Sequence, residues 1–196
     1  MLKEFHCIQD CSDCCINRQY YPSIDYGKIG VLLLPHEKKQ VENLAEAHKI
    51  NITVLPRLGI GTNKKSNGPR QVIAYQLMGT TRDGNYCPFL DIKGKNRSPH
   101  GGFNCAIYDE RPLSCHAYPA LSENNTNVEL DCNCKFSCQY SNHVKKNLLE
   151  TELIALSTIR NNFDMFTKQT IWRYATHIGE ESVTKFLLPR GWYLHE

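Results

Sequence analysis

The spacing of the cysteines constrains this chain more than any other feature. Four of its ten cysteines fall within nine residues near the start, at Cys7, Cys11, Cys14 and Cys15. Thiolate is both a good ligand and a reactive nucleophile, so free thiols at this density need a reason, and metal coordination is the commonest one. Four chance core cysteines would not crowd into so short a stretch. The segment therefore predicts a metal site.

Six further cysteines follow in a stretch that has little sign of regular structure. They stand among Gly, Pro, Asn and Asp between residues 82 and 140, at Cys87, Cys105, Cys115, Cys132, Cys134 and Cys138. Turn-forming residues of this kind predict short elements joined by loops. Such a stretch needs a metal or a core anchor to become ordered, because fixing each residue costs conformational entropy.

Composition narrows the class of protein. Ten cysteines in 196 residues lie below the roughly 8–10% typical of disulfide-stapled secreted scaffolds. Basic and acidic residues number 23 and 20 without a run of like charge, so we expect no binding to nucleic acid or to an anionic membrane. There is no apolar stretch of membrane-spanning length and no secretory start. We expect a cytoplasmic protein with free thiols.

The remaining patterns predict an irregular, loop-rich α+β fold. Pro35 opens a helix to about His48, with a buried stripe of Val41, Leu44, Ala45 and His48. Residues 52–55 and 71–77 predict a small β-hairpin with a mobile loop from Gly59 to Pro69. A long helix from about Asn142 to Phe166 and shorter ones over 168–177 and 180–188 follow. We interpret residues 1–140 as a metal-nucleated cysteine-cluster domain and 141–196 as a helical extension packed on it.

Side chains beside the cysteines are candidates for supporting roles. Cys14 and Cys15 are neighbours and should point in different directions, so one of them is expected to face a second site or to be unligated. Arg111 is predicted to donate hydrogen bonds to sulfur, or else to form an ion pair with Asp109 or Glu110. The histidines nearest the cysteines are open as ligands, but with enough cysteines present they are expected to assist ligands or to face solvent; they are His6, His100, His116 and His143.

Three motifs in order resemble a known family. The chain reads C-x3-C-x2-C-C from Cys7, C-P-F-L-D from Cys87 and C-x-I-Y-x-x-R-P-x-x-C-x-x-Y-P from Cys105. This combination resembles the YkgJ-type cysteine-cluster family of zinc- or iron-chelating proteins, over residues 7–15 and 87–134. The resemblance implies a metal core on eight thiols, which suffice for two four-ligand sites or for one site plus spares. They are Cys7, Cys11, Cys14, Cys15, Cys87, Cys105, Cys115 and one of Cys132 and Cys134.

The last ligand is open, because the family's final cysteine usually stands in a Pro/Gly turn. Here Cys132, Cys134 and Cys138 offer three thiols and no glycine. These thiols could also form an additional site of their own, or two of them could be free at the surface.

Zinc and an iron–sulfur cluster both remain open as the cofactor. Cys11 and Cys14 are spaced like a zinc knuckle. The distant single cysteines Cys87, Cys105 and Cys115 instead favour a large cofactor wrapped by separate loops, so we predict an iron–sulfur cluster of the 4Fe–4S type, with zinc as the alternative.

The predicted function is metal binding, with an unidentified protein partner or substrate. One alternative is a cluster-dependent enzyme such as a protein-lysine N-methyltransferase, since the family includes flagellin lysine N-methylases; Tyr108, Asp109 and Arg111 would then be the nearest polar residues. Another is a metal carrier or assembly factor with an exchangeable site at Cys132, Cys134 and Cys138. Walker, dinucleotide-binding and H-E-x-x-H motifs are absent from the sequence.

Overall fold

The computed structural model describes residues 8–16, 31–63, 68–79, 86–137, 143–174 and 191–194. The helices are α1 (Asp13–Ile16), α2 (Pro35–Ala47), α3 (Leu113–Ala117) and α4 (Glu150–Asp164). The strands are β1 (Val31–Leu33), β2 (Val54–Gly61), β3 (Gln71–Leu77), β4 (Leu90–Asp91), β5 (Asn104–Cys105), β6 (Ala120–Glu123), β7 (Asn127–Leu130), β8 (His143–Lys145), β9 (Thr170–Tyr174) and β10 (Trp192–Leu194). The predicted α+β, loop-rich fold is confirmed.

The largest sheet contains five strands in the order β1–β3–β2–β9–β10, all paired antiparallel. The predicted hairpin lies inside this sheet as β2 and β3. Gly59 and Gly61 belong to β2, so their predicted place in a mobile loop is wrong. Glycine is required there because the returning chain comes close: a Cβ at Gly59 would stand 2.6 Å from the Pro69 Cβ, and one at Gly61 would stand 2.8 Å from the Arg70 nitrogen.

The predicted helix after Pro35 is confirmed as α2. Pro35 occupies its first turn, where a missing N–H costs nothing. Val41 and Ala45 are buried against the core and Leu44 packs on it. His48 is exposed, so its predicted place in the buried stripe is wrong: the helix ends at Ala47, and His48 is the residue that terminates it.

The C-terminal third differs from the predicted run of helices. Residues His143–Lys145 form β8 on the edge of β7, and α4 starts only at Glu150, after a 3-10 turn at Lys146–Leu148. The predicted helix over 168–177 is wrong at Thr170–Tyr174, which form β9 against β2. Trp172 explains the strand, because its side chain is fully buried and its indole Nε1 donates to the Thr62 carbonyl at 3.1 Å. The predicted helix over 180–188 lies outside the described residues.

Two apolar clusters hold the cysteine-bearing segments. The first packs β1, β3 and α2 against the chain around Phe89 and Ile107. The second packs β6, β7 and β8 against Phe136 and Leu149. In the described part of the chain, no helix combines the length and the apolar character needed to cross a membrane.

Candidate metal centre

The first cysteine segment is held by the loop before β5. The Asp10 N–H donates to the His100 carbonyl at 2.9 Å, and the Phe103 N–H donates to the Ser12 Oγ at 2.8 Å. Gly102 makes this approach possible, because a Cβ there would stand 2.2 Å from the Cys11 carbonyl oxygen. Cys11, Cys14 and Cys15 are therefore fixed by contacts far along the chain.

Cys14 and Cys15 lie on the single turn of α1. Their Sγ atoms are 3.8 Å apart. The two side chains therefore point less far apart than expected for neighbouring residues, and both thiols reach the same cavity.

Cys87 and Cys105 approach Cys15 through backbone hydrogen bonds. The Cys87 N–H donates to the Cys15 carbonyl at 2.8 Å, and Cys105 stands opposite Leu90 in the β4–β5 pair. The Leu90 N–H donates in turn to the Cys87 carbonyl at 3.0 Å. Three segments distant in sequence are joined here by main-chain contacts.

Cys115 is carried by α3, which a buried carboxylate ties to α2. Glu37 Oε1 accepts the Leu113 N–H at 2.7 Å, while Glu37 Oε2 accepts the Leu34 N–H at 2.8 Å. The Ser114 hydroxyl also donates to the Leu32 carbonyl at 2.7 Å. These bonds position Cys115 against β1 and α2.

The three late cysteines have different surroundings. Cys134 is buried, and its N–H donates to the Asp131 carbonyl at 3.0 Å in a turn after β7. Cys132 is exposed and does not line the cavity. The Lys135 ammonium pairs with the Asp13 carboxylate at 3.1 Å, which brings the turn beside α1. Cys138, like Cys7 and His6, lies outside the described residues.

The thiols meet around one cavity of about 550 Å³. Seven cysteines line it: Cys11, Cys14, Cys15, Cys87, Cys105, Cys115 and Cys134. Among the residues that the structure describes, no three His, Cys, Asp or Glu side chains are grouped so as to hold a single metal ion. The chemistry of the donor set nevertheless suits zinc or iron, since thiolate is a preferred ligand of both zinc and iron–sulfur clusters.

Burial disfavours the ionised form of two of the cavity thiols. It raises the pKa of the Cys105 thiol to about 11, a rise opposed by the hydrogen bond with the Ile107 backbone and increased by charge on Cys87 and Cys15. Burial likewise raises the pKa of Cys134 and holds the pKa of the Tyr118 hydroxyl, hydrogen-bonded to Cys134, far above its usual range. Cys105 and Cys134 are therefore favoured as neutral thiols in the metal-free protein, and a metal that binds them must displace their protons.

Arg111 lines the cavity in a fixed orientation. Its Nε donates to the Tyr108 carbonyl at 2.7 Å, and its guanidinium lies 3.8 Å from the centroid of the Tyr108 ring. The predicted alternative of an ion pair with Asp109 or Glu110 is not found among the described side chains. The positive charge instead faces the thiol cavity, where it opposes the rise in the pKa of Cys105.

Two of the candidate histidines reach the cavity. His100 Nε2 is 2.8 Å from the Tyr108 hydroxyl. Burial lowers the pKa of His116, and the nearby Arg111 charge lowers it further. His143 is exposed on β8. Both His100 and His116 line the thiol cavity, and the supporting role expected for them stays a prediction.

Sequence reasoning missed several residues that support the thiols. Glu37 occupies the third position of α2, where a carboxylate often reaches back to the residue before the helix, so its hydrogen bond with Leu34 could be predicted from the local sequence. Its hydrogen bond with Leu113 could not. Tyr118 and Glu152 also line the cavity. Tyr118 stands in the third of the three motifs, whereas nothing in the local sequence pattern indicates Glu152.

A thiol-lined cavity between the loops of a small α+β fold defines a cysteine-rich, metal-chelating protein. The chain belongs to the CxxCxxCC family, whose model, described as a "putative zinc- or iron-chelating domain", matches residues 6–135. The resemblance drawn from the three motifs is thereby confirmed. Comparisons with curated proteins and with solved structures found no match.

Proposed function

We propose that the chain binds an iron–sulfur cluster of the 4Fe–4S type on cysteine thiolates in this cavity. The observation that carries the proposal is the convergence of seven thiols on a space of about 550 Å³. That volume falls within the roughly 300–1,000 Å³ of cofactor sites. A single zinc ion needs much less, because it draws four sulfurs to about 2.3 Å from the metal.

The origin of the thiols also supports a cluster. Cys15 comes from α1, Cys87 from the loop before β4, Cys105 from β5 and Cys115 from α3. Single ligands supplied by separate segments suit a large cofactor that loops enclose.

The surrounding side chains would serve a bound cluster in distinct ways. A 4Fe–4S cluster supplies a centre that exchanges single electrons. Arg111 offsets the negative charge of the thiolates, and buried Phe89 and Leu90 exclude water from the wall. A cytoplasmic location is part of the proposal, because a reducing compartment keeps these thiols free for metal.

The test is elemental analysis of protein purified without oxygen, with acid-labile sulfide and an absorption spectrum. We expect iron with sulfide, and we expect Cys105→Ser to lower both. Cys132→Ser is the matched control, since Cys132 is exposed outside the cavity, and should retain the wild-type content. Zinc without sulfide would indicate a zinc site in place of the cluster. Equal losses of iron and sulfide in the two variants would contradict binding in the cavity.

A cluster-dependent enzyme is the second candidate, and the polar side chains that line the cavity together with the thiols favour it. His100, Tyr108, Arg111 and Glu152 line the cavity, whereas Asp109 is exposed and does not. Protein-lysine N-methylation is the reaction that the family relation suggests. Saturable binding of S-adenosylmethionine to the metal-loaded protein, weakened in Arg111→Gln, is the expected result; absence of such binding would remove this candidate.

A further inference from the structure

The loop that joins β4 to β5 carries three cationic side chains and no acidic one over residues 92–103. We call residues 92–103 the basic loop. Its cations are Lys93, Lys95 and Arg97, and all three are exposed. Their combined charge equals the formal net charge of the whole chain, +3, so the remaining residues balance one another. The net positive charge of the chain is therefore accounted for by this loop.

Hydrogen bonds hold the backbone of the basic loop in one shape. The Asp91 carboxylate accepts the Lys93 N–H at 3.1 Å and the Gly94 N–H at 2.7 Å. The Arg97 guanidinium donates to the Gly94 carbonyl at 2.8 Å and lies 5.5 Å from the centroid of the Phe103 ring. A partner that binds here loses little affinity to ordering of the loop, because the backbone is already ordered.

The charges of Lys95 and Arg97 are not neutralised by neighbouring carboxylates. Neither side chain forms an ion pair with a carboxylate in the part of the chain that the structure describes, whereas Lys135 pairs with Asp13 and Lys146 with Glu123. Exposed charges of one sign without counter-charges produce a potential that attracts the opposite sign. The basic loop therefore favours an acidic partner.

The basic loop continues directly into the wall of the thiol cavity. Ser98, His100 and Phe103 line the cavity. The His100 carbonyl also accepts the Asp10 N–H of the first cysteine segment at 2.9 Å. A protein that binds to the basic loop consequently lies beside the proposed cluster.

The size and polarity of the loop indicate the kind of partner. The large apolar side chains that are exposed in the described residues, Leu121, Ile154 and Met165, all lie outside the loop. A small charged patch of this kind suits the brief encounters of electron-carrier proteins, which have small interfaces and are steered by charge. Tight nucleic-acid binding typically uses more cations, about six to ten phosphate contacts, along an extended surface.

We propose that the basic loop is the docking surface for a small acidic electron-carrier protein. This rests on the proposed function, because the 4Fe–4S cluster is the group that exchanges the electron. One electron passes from the reduced carrier to the oxidised cluster, so the carrier is oxidised as the cluster is reduced. The transfer needs no proton and no further reactant.

The experiment uses the anaerobically loaded protein, with an acidic plant-type 2Fe–2S ferredoxin as the carrier. A nuclear magnetic resonance titration measures binding of the oxidised ferredoxin. Stopped-flow absorbance measures the second-order rate constant for reduction of the cluster by the reduced ferredoxin. We expect binding to weaken and the rate constant to fall as ionic strength rises, because salt screens exposed charges.

Charge variants of Lys95 test the surface directly. Lys95→Glu should lower the rate constant by on the order of tenfold at low ionic strength, and Lys95→Gln should lower it by less. Lys168→Glu is the matched control, because it makes the same charge change at an exposed lysine outside the basic loop and the cavity. Its rate constant should stay within about twofold of the wild-type value, since charges farther apart than a Debye length are screened.

Other outcomes separate this inference from the proposed function. Equal rate constants in the wild type and Lys95→Glu, or equal losses in Lys95→Glu and Lys168→Glu, would overturn the docking surface and leave the cluster in place. Binding of duplex DNA, rather than of ferredoxin, that Lys95→Glu abolishes would overturn the carrier as the partner. If circular dichroism shows that Lys95→Glu does not fold, Lys93→Glu takes its place. Wild-type protein without iron and sulfide would overturn the proposed function itself.

Discussion

The backbone N–H of Cys87 donates a 2.8 Å hydrogen bond to the carbonyl oxygen of Cys15. This bond joins two cysteine segments that are far apart in the sequence, and it does not involve either thiol. The cavity is therefore assembled partly by the main chain. Cysteine side chains can be replaced singly without removing this contact, so metal content and folding can be measured separately.

Replacing Glu37 by glutamine should destabilise the protein by about 1–3 kcal/mol, because both carboxylate oxygens accept backbone N–H groups in a buried position. A glutamine amide has one acceptor oxygen and would present its NH₂ to the other donor. Urea unfolding of the loaded protein measures the loss. Glu42→Gln, which alters an exposed pair with Lys38, should cost well under about 1 kcal/mol; similar losses in the two would contradict the account.

Gly102→Ala should lower metal content, because the added methyl would collide with the Cys11 carbonyl oxygen, 2.2 Å away, and push the first cysteine segment outward. Metal per chain is the measurement. Gly68→Ala is the matched control: its Cβ meets open space, although its φ of +66° costs some stability. Full metal content in Gly102→Ala would show that the segment adjusts without moving its thiols.

The metal-free protein should lose stability as the pH rises from about 9 to about 11. Burial raises the pKa of the Cys105 thiol from 9.0 to about 11 in the folded state, so the folded chain holds this proton more tightly than the unfolded chain. The stability contributed is complete below pH 9 and is lost through pH 11, by at most about 2 kcal/mol because the thiol is not fully buried.

Thermal unfolding of metal-free wild type and Cys105→Ser across this pH range isolates the effect, because the serine hydroxyl does not titrate there. The difference in stability between the two should change with pH. Parallel profiles would mean that the raised pKa of Cys105 does not govern the transition.

Arg111→Gln should make reduction of a bound cluster harder, lowering its potential by on the order of tens of millivolts, because a positive charge beside the thiolates favours the added electron. Arg97→Gln is a close control: Arg97 also stacks on an aromatic ring, that of Phe103 at 5.5 Å, and donates to the Gly94 carbonyl, but it does not line the cavity. In a spectroscopic redox titration, the reduction potential of the cluster should shift for Arg111→Gln only. Equal shifts in the two variants would argue against a local charge effect.

Local signals were sufficient for part of the fold. Pro35 followed by an apolar stripe identified α2, and the β-branched residues 71–77 identified β3. The same reasoning was wrong for Thr170–Tyr174, because a short apolar stretch does not reveal whether it will pair with the edge of a strand that is distant in the sequence. Here the edge of β2 pairs with β9, and Trp172 fills the core.

The sequence by itself determined the kind of chemistry. The cysteine spacing and the three motifs identified a metal-chelating family, because the density of thiols can be read directly from the amino-acid sequence. Only the tertiary structure decided which thiols share a cavity. It buries Cys134 at the cavity and leaves Cys132 exposed outside it, and it turns Arg111 toward the thiols. The physical reason is that a site of this kind is built from long-range contacts, such as those of Glu37 with Leu113 and Cys87 with Cys15, which no local pattern encodes.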